Sequence, residues 1–82
     1  MQKNEVIDVI KNFIIEIAPG LTLEEISVDH SLSDLGLNSV DRAEILLLSQ
    51  EHFALKMPLI EFAGVRTIDA LAVKILSGLN TQ

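Results

Sequence analysis

The first apolar segment of the chain repeats with the period of a helix. Between Glu5 and Ala18 most apolar side chains occupy one broad arc and the polar ones the opposite side. The arc consists of Val6, Ile7, Val9, Ile10, Phe13, Ile14 and Ile17. The spacing predicts an amphipathic helix that Pro19 and Gly20 end. Because β-branched residues are mediocre helix formers, this helix should depend on tertiary packing for its stability.

The next stretch, residues 21–38, has neither a helical nor a strand period. Apolar residues still recur in it, at Leu21, Leu23, Ile26, Leu32, Leu35 and Leu37. Such a long loop is unusual in a small domain and is commonly functional or disordered. Because the recurring apolar residues can pin it against a core, we expect an ordered, functional loop.

A second helix is predicted from Asn38 to about Phe53. The Asn38 side chain can cap it by accepting from the N–H of Val40 or Asp41, and the Asp41 carboxylate favours the positive helix end. Its apolar residues form two faces, with Ile45, Leu46, Ser49 and Phe53 on one and Val40, Ala43 and Leu47 nearly opposite. The pattern does not explain Ser49 on the core face, for which one role open is a hydrogen bond to a carbonyl one turn earlier.

The second apolar face has two interpretations. The acidic residues Glu44 and Glu51 flank it, as expected of a docking surface for a transient protein partner. Alternatively, a neighbouring short helix covers Leu47 and the residues beside it. The pattern alone leaves both interpretations open.

Two more helices follow. A short third helix is predicted at Leu59–Gly64, and Thr67 is predicted to cap a last helix with Gly78 near its end and Asn80–Gln82 frayed. The face of the last helix consists of Ile68, Leu71, Ala72, Ile75 and Leu76. No strand pattern is present. The predicted fold is all-α: a small, mostly antiparallel four-helix bundle with three longer helices and one short one, a long ordered loop after the first, and one domain over residues 1–82.

Composition and charge exclude several classes of protein. With 82 residues there is little room for an enclosed active site, and the absence of cysteine excludes disulfides and thiolate metal sites. The longest aliphatic run, Ile45 to Leu48, is far short of the ~20 residues that span a bilayer. Acidic residues interrupt the N-terminal segment where a signal peptide would be apolar, so we expect a cytoplasmic protein that binds no membrane.

The net charge of −6 is concentrated in the middle of the chain. Between Glu16 and Glu51 there are eight acidic residues and one basic residue, Arg42. This segment should repel nucleic acid and anionic lipid. It indicates either a basic protein partner or a surface that is simply well solvated.

Candidate catalytic groups are few. His30 and His52 have no metal-ligand spacing and are expected to be ordinary surface residues, so no metal site and no enzyme activity are predicted. Ser39 is chemically more interesting, because it begins the second helix, and a helix N-terminus favours a phosphate ester. No base lies near it in the sequence. If Ser39 acts as a nucleophile, another protein must supply the general base, as for a substrate of covalent modification.

The segment Asp34-Leu35-Gly36-Leu37-Asn38-Ser39-Val40-Asp41 resembles the attachment motif of the acyl carrier protein family. The helix before it, the pinned loop, Glu51-His52-Phe53 and the final helix introduced by Thr67-Ile68 extend the resemblance over nearly the whole chain. The resemblance implies that Ser39 receives a covalent 4′-phosphopantetheine arm from coenzyme A through a phosphopantetheinyl transferase. Acyl groups then ride on the arm as thioesters, and the carrier presents them to other enzymes without forming bonds itself.

The same resemblance implies a docking face. The residues at the matching positions are Leu37, Val40, Arg42, Ala43, Glu44 and Leu47. The resemblance thus favours the docking interpretation of the second apolar face. Three roles are open for Arg42: it pairs with the phosphodiester, contacts an acid on a partner, or points to water.

The chain departs from the family pattern at positions that help to assign its subtype within the family. Fatty-acid carriers commonly have Asp where this chain has Asn38, and their second helix is richer in acids. The segment from Asn38 to Ile45 is similar to discrete carriers of bacterial polyketide β-branching cassettes, which deliver acetyl groups to a hydroxymethylglutaryl-synthase-like enzyme. The resemblance implies a monomer that meets acyltransferase, ketosynthase or hydroxymethylglutaryl-synthase-like partners.

Three alternatives stay open. A peptidyl or aminoacyl carrier has the same fold and arm, although its lead into the serine usually differs from Gly36-Leu37-Asn38. An unmodified acidic helical adaptor would bind a basic partner through the second helix, and Ser39 would be dispensable for its function. The start at Met1, just before the first helix, favours a discrete carrier, and a domain of a larger synthase is the alternative.

Overall fold

The computed structural model describes residues 2–80 and has the predicted all-helical architecture. It contains helices α1 (Lys3–Ile17), α2 (Ser39–His52) and α3 (Ile68–Asn80), together with short 3-10 turns at Leu23–Glu25 and Leu59–Phe62. No strand occurs in residues 2–80, where the one β-type pairing is an isolated bridge between Ser31 and Thr67.

The predicted short third helix is a single 3-10 turn rather than an α-helix. Pro58 precedes it with a φ of −59°, and Gly64 follows it with a φ of +84°. Of the five residues between these two positions, four form the turn, too few to build the hydrogen-bond ladder of an α-helix. Over the described chain the fold therefore has three α-helices. The expected frayed end falls on Asn80, which is the last residue of α3, and on Thr81 and Gln82, which lie outside the described residues.

Helix α1 is the centre of the core and packs against both α2 and α3. The fully enclosed side chains include Val6, Ile10 and Ile14 of α1, Ile45 of α2, and Ile68 and Ile75 of α3. The predicted apolar arc of α1 is therefore its buried face, and its stability comes from contacts on two sides.

The long loop is ordered against this core. Ile26, Leu32 and Leu37 are buried, whereas Leu23 is 51% exposed, so the prediction that Leu23 pins the loop is wrong. The N–H of Ile68 donates to the carbonyl of His30 at 3.0 Å. These contacts hold the loop between α1 and the start of α3.

Gly78 lies near the end of the last helix as predicted, since α3 ends at Asn80. A Cβ atom on Gly78 would lie 2.5 Å from the Sδ atom of Met57. The glycine therefore permits the segment after α2 to pack closely on α3. Thr67 does cap α3 as predicted, since its Oγ1 accepts from the N–H of Ala70 at 3.0 Å.

Candidate functional site: the start of helix α2

Helix α2 begins with a complete capping box. The N–H of Asp41 donates to Oδ1 of Asn38 at 2.8 Å, and the N–H of Asn38 donates to Oδ2 of Asp41 at 3.4 Å. The predicted cap is confirmed, with Asp41 as the donor. Because both side chains satisfy backbone groups, the first turn of α2 has a defined geometry.

Ser39 is the first residue of α2 and is exposed to solvent. Within residues 2–80 its Oγ has no hydrogen-bond partner, and the N–H groups of Ser39 and Val40 have no acceptor. A hydroxyl in this position can react with an incoming group, and the two N–H groups can then bind an anion attached to it.

The chain reaches Ser39 through a tight turn. Gly36 has a φ of +85°, in the left-handed region where a side chain is strained, and its N–H donates to the carbonyl of Ser33 at 3.0 Å. Leu37 follows and is buried, with 6% of its surface exposed. The side chain of Leu37 thus anchors the turn to the core, so it is not available for the docking role expected of it.

Ser31 and Asp34 bond reciprocally at the start of this turn. The N–H of Ser31 donates to Oδ2 of Asp34 at 3.1 Å, and the N–H of Asp34 donates to Oγ of Ser31 at 3.0 Å. The backbone N–H of Ser31 lowers the pKa of the Asp34 carboxyl group, and the Ser31 side chain and the nearby His30 lower it further. The ionised form of Asp34 is therefore part of the native turn.

Arg42 is half-buried and donates a hydrogen bond from its guanidinium to Oγ of Ser33. It lies three residues after Ser39, on the same side of α2. One of the three roles left open for Arg42 was to point to water. The structure does not show that role, because the guanidinium is hydrogen-bonded to Ser33 in the loop.

Beyond Ser39, α2 has an exposed apolar face. Val40 is 72% exposed and Leu47 is 54% exposed, while Glu44 is exposed and Ala43 is half-buried. Helical spacing places Val40, Ala43 and Leu47 on one side. Leu47 remains open to solvent, so the Leu59–Phe62 turn does not cover this face. Leu59 and Ile60 are further exposed apolar residues, 51% and 77% exposed, which the sequence pattern did not predict.

An open groove of about 460 Å³ lies beside Arg42. It is lined by Ser31, Leu32, Ser33, Arg42, Leu46, Phe62, Val65, Arg66, Thr67 and Leu71. Sequence reasoning missed this groove, because its walls come from three separate segments. Arg66, which belongs to none of the sequence motifs, contributes to it.

Three other polar side chains differ from expectation or add to it. Ser49 is fully buried, and within residues 2–80 its Oγ has no hydrogen-bond partner, so it makes no bond to a carbonyl one turn earlier. His30 is half-buried, and its Nδ1 accepts from the N–H of Ser27 at 3.2 Å, which gives it a structural role in the loop. His52 is exposed and meets Phe13 and Phe53 edge-on.

Neither a metal cluster nor a membrane-spanning helix occurs in residues 2–80. Residues 2–80 contain no group of three or more His, Cys, Asp and Glu side chains that could hold a metal ion. No helix among them has the length and apolar character needed to cross a membrane.

Comparison with known proteins identifies the family. The model of the family described as phosphopantetheine attachment site matches residues 8–73. Over 72 residues the chain is 39% identical to the polyketide biosynthesis acyl-carrier-protein AcpK of Bacillus subtilis (strain 168), covering 88% of each protein. The chain therefore belongs to the phosphopantetheine attachment family, whose members carry 4′-phosphopantetheine covalently.

A solved structure extends the comparison to the fold. A chain in the crystal structure of the curacin biosynthetic pathway HMG synthase in complex with acetyl donor-ACP superimposes with a TM-score of 0.87 at 39% identity. The match covers 94% of this chain and 99% of that chain. The resemblance to acyl carrier proteins of polyketide β-branching, and the carrier function it implied, are confirmed.

Proposed function

We propose that Ser39 is the attachment site of the phosphopantetheine arm and that this carrier donates acetyl groups to an HMG-synthase-like enzyme. The observation that supports the site is the exposed Ser39 hydroxyl, which has no partner within residues 2–80 and stands at the capped start of α2. The acetyl-donor assignment is supported by the likeness to a chain in the complex of an HMG synthase with its acetyl donor carrier.

The attachment reaction requires one nucleophile from this chain. A base of the transferase removes the proton from Ser39 Oγ, and the oxygen then bonds to the pantetheine-bearing phosphorus of coenzyme A. The phosphorus–oxygen bond to the nucleotide half breaks, and adenosine 3′,5′-bisphosphate leaves. The N–H groups of Ser39 and Val40, at the positive end of α2, favour the resulting phosphodiester anion. The arm supplies a terminal thiol, a group that this chain lacks.

We propose the exposed face of α2 as the surface that partner enzymes contact. Val40, Ala43 and Leu47 offer apolar area next to Ser39, and Glu44 adds a negative charge that suits a basic partner. We leave Leu37 out of this docking surface because it is buried. We place Arg42 at the edge of the surface because its guanidinium is already hydrogen-bonded to Ser33. A carrier must release each enzyme quickly, and a face of this modest size favours such weak docking.

The test of the site is an intact-mass measurement after incubation with coenzyme A and a promiscuous phosphopantetheinyl transferase. We expect the native chain and the control variant Ser33→Ala to gain one phosphopantetheine, and Ser39→Ala to gain none. A mass gain on Ser39→Ala would refute the site. If the native chain gains no mass, the proposal that it carries the arm is refuted, and the alternative of an unmodified acidic adaptor is favoured.

The test of the acetyl-donor role is transfer of acetyl from the loaded carrier to an HMG-synthase-like enzyme of a polyketide cassette. We expect the enzyme to become acetylated by this carrier, and more slowly by a peptidyl carrier of equal size. Equal rates for the two carriers, or loading with aminoacyl groups only, would overturn the acetyl-donor role and leave the arm intact.

A further inference from the structure

The start of helix α3 is capped by another part of the chain, the turn at residues 27–30. The N–H of Ile68 donates to the carbonyl of His30 at 3.0 Å. The N–H of Asp69 donates to the carbonyl of Val28 at 2.9 Å. The first N–H groups of a helix have no acceptor within the helix, so these two bonds satisfy them from outside. The contact between the loop and α3 therefore depends on the geometry of this turn.

The His30 side chain closes the turn. The N–H of Ser27 donates to Nδ1 of His30 at 3.2 Å, and the N–H of His30 donates back to the carbonyl of Ser27 at 3.0 Å. Nδ1 accepts a hydrogen bond only while it carries no proton, so this bond requires the neutral imidazole with its proton on Nε2. The other acceptors named here are carbonyl groups, which do not titrate. The bond from Ser27 to His30 is therefore the point at which a proton can act on the turn.

Charged side chains also belong to the segments around His30. They are Asp29 in its own turn, Asp34 in the next turn, and Arg66 and Asp69 beside the start of α3. Asp69 is already paired with Lys3, at 2.7 Å between Oδ1 and Nζ. The backbone N–H and the side chain of Ser31 lower the pKa of Asp34 below its ordinary value of 3.8, and the charge of His30 lowers it further. Asp34 therefore stays ionised near neutral pH, where it attracts a protonated imidazole.

We propose that His30 makes the contact between this turn and α3 sensitive to pH, so that protonation of its imidazole opens the turn and releases the start of α3. The added proton binds to Nδ1, and two N–H donors then face each other where one hydrogen bond had been. The imidazolium has to turn away from the N–H of Ser27, and the carbonyl groups that cap α3 lose their fixed positions. A positive charge beside the N-terminal end of a helix is also unfavourable. Because histidine changes its charge between about pH 5 and 8, the opening falls in the physiological range.

Hydrogen exchange of the unmodified chain tests this proposal, and the test does not depend on an arm at Ser39. NMR measures the protection of single amides at about pH 7.5 and about pH 5.5, on either side of the histidine titration. We expect the protection of the N–H groups of Ser27, Ile68 and Asp69 to fall about fivefold on acidification, as for the loss of one hydrogen bond. The N–H of Leu55, which donates to a carbonyl in another segment, should keep its protection.

His30→Asn separates the hydrogen bond from the charge. The Oδ1 atom of asparagine takes the position of Nδ1 as an acceptor and binds no proton in this pH range. We expect this variant to have the same protection at both pH values. His52→Asn removes the second histidine of the chain, which is exposed at the end of α2, and should retain the loss seen in the native chain. Constant protection in the native chain, or an equal loss in His30→Asn, would overturn the proposal.

A second measurement decides the case if asparagine does not fit the turn. Nitrogen NMR of the native His30 side chain reports which ring nitrogen carries the proton, and we expect Nε2 to carry it above the titration range. The protection of the Ser27 and Ile68 amides should then decline along the same titration curve as the His30 imidazole. A neutral imidazole protonated on Nδ1, or amides that follow a different curve, would refute the role of His30.

Discussion

The backbone N–H of Met57 donates a 2.6 Å hydrogen bond to the side-chain Oε1 of Gln50. Gln50 is only 6% exposed, and its own carbonyl accepts from the N–H of Leu55 at 2.8 Å. One residue of α2 thus binds the following segment twice and holds Met57 where it packs against Gly78 of α3. Gln50 is therefore a structural link between α2 and α3, which share few direct contacts.

Replacing this glutamine tests the link. Gln50→Met keeps much of the side-chain volume but removes the acceptor, so the N–H of Met57 loses its partner. We expect the free energy of unfolding to fall by about 1–3 kcal/mol. Urea denaturation followed by circular dichroism measures it, with Glu51→Met at the exposed neighbouring position as the control. Equal stability of the two variants would contradict the structural role.

Ser49 presents the opposite case, a buried hydroxyl without a partner in the described chain. Ser49→Ala removes that unsatisfied group, and we expect the free energy of unfolding to rise by about 1 kcal/mol. Thermal unfolding measures the change. The control Ser39→Ala, at an exposed position, should stay within about 0.5 kcal/mol of the native chain. A loss of stability in Ser49→Ala would show that the hydroxyl is hydrogen-bonded in solution.

Ala54 ends the α2 region in a left-handed conformation, with a φ of +56°. A Cβ atom is unfavourable there, so we expect Ala54→Gly to stabilise the protein by about 1 kcal/mol. Ala63 is a matched control, since it is also exposed but has a φ of −61°. Ala63→Gly should destabilise by about 0.4–1 kcal/mol through greater freedom of the unfolded chain. The same sign for both variants in chemical denaturation would disprove the strain at Ala54.

Asp34 should make stability depend on pH in the acid range. Its pKa is lowered in the folded state from the ordinary value of 3.8, chiefly by the N–H of Ser31. The ionised carboxylate therefore stabilises the fold above 3.8, and this contribution is lost as the pH falls through the lower folded pKa. The stability difference between the native chain and Asp34→Ala should be constant near neutral pH and shrink in acid.

Ser31→Ala is the companion variant for Asp34, because it retains the backbone N–H that is the larger cause of the shift. NMR titration of the Asp34 carboxyl carbon should then show a pKa that is still lowered, although by less. An ordinary pKa in Ser31→Ala would assign the whole effect to the hydroxyl instead.

Glu44 tests the docking face of α2. Glu44→Lys reverses a charge that is exposed and makes no ion pair in residues 2–80, so thermal stability should not change. We expect acyl transfer to the partner enzyme to slow by about threefold to tenfold at low salt, and less at high salt. Glu24→Lys makes the same charge change in the exposed Leu23–Glu25 turn and should leave the rate unaltered. Equal rates for Glu44→Lys and the native chain at low salt would argue against this face.

Local patterns predicted much of the fold. The apolar period of α1, the Asn38 cap and the Thr67 cap all depend on residues within a few positions of one another, and the structure has each of them. The third helix was predicted less well, because the turn at Leu59–Phe62 is too short for an α-helix. The packing of Met57 on Gly78 was not predicted, because it joins residues that are distant in sequence.

The functional site likewise has features that the sequence predicted and features that it did not. The sequence alone determined an all-helical chain, a serine at a helix start and an acidic middle segment, because these follow from period, capping chemistry and charge along the chain. Only the tertiary structure decided that Leu37 is buried, that Arg42 binds Ser33 and that Arg66 joins Arg42 at one groove. These contacts join residues distant in sequence, and their geometry is set when α1 buries its apolar face between α2 and α3.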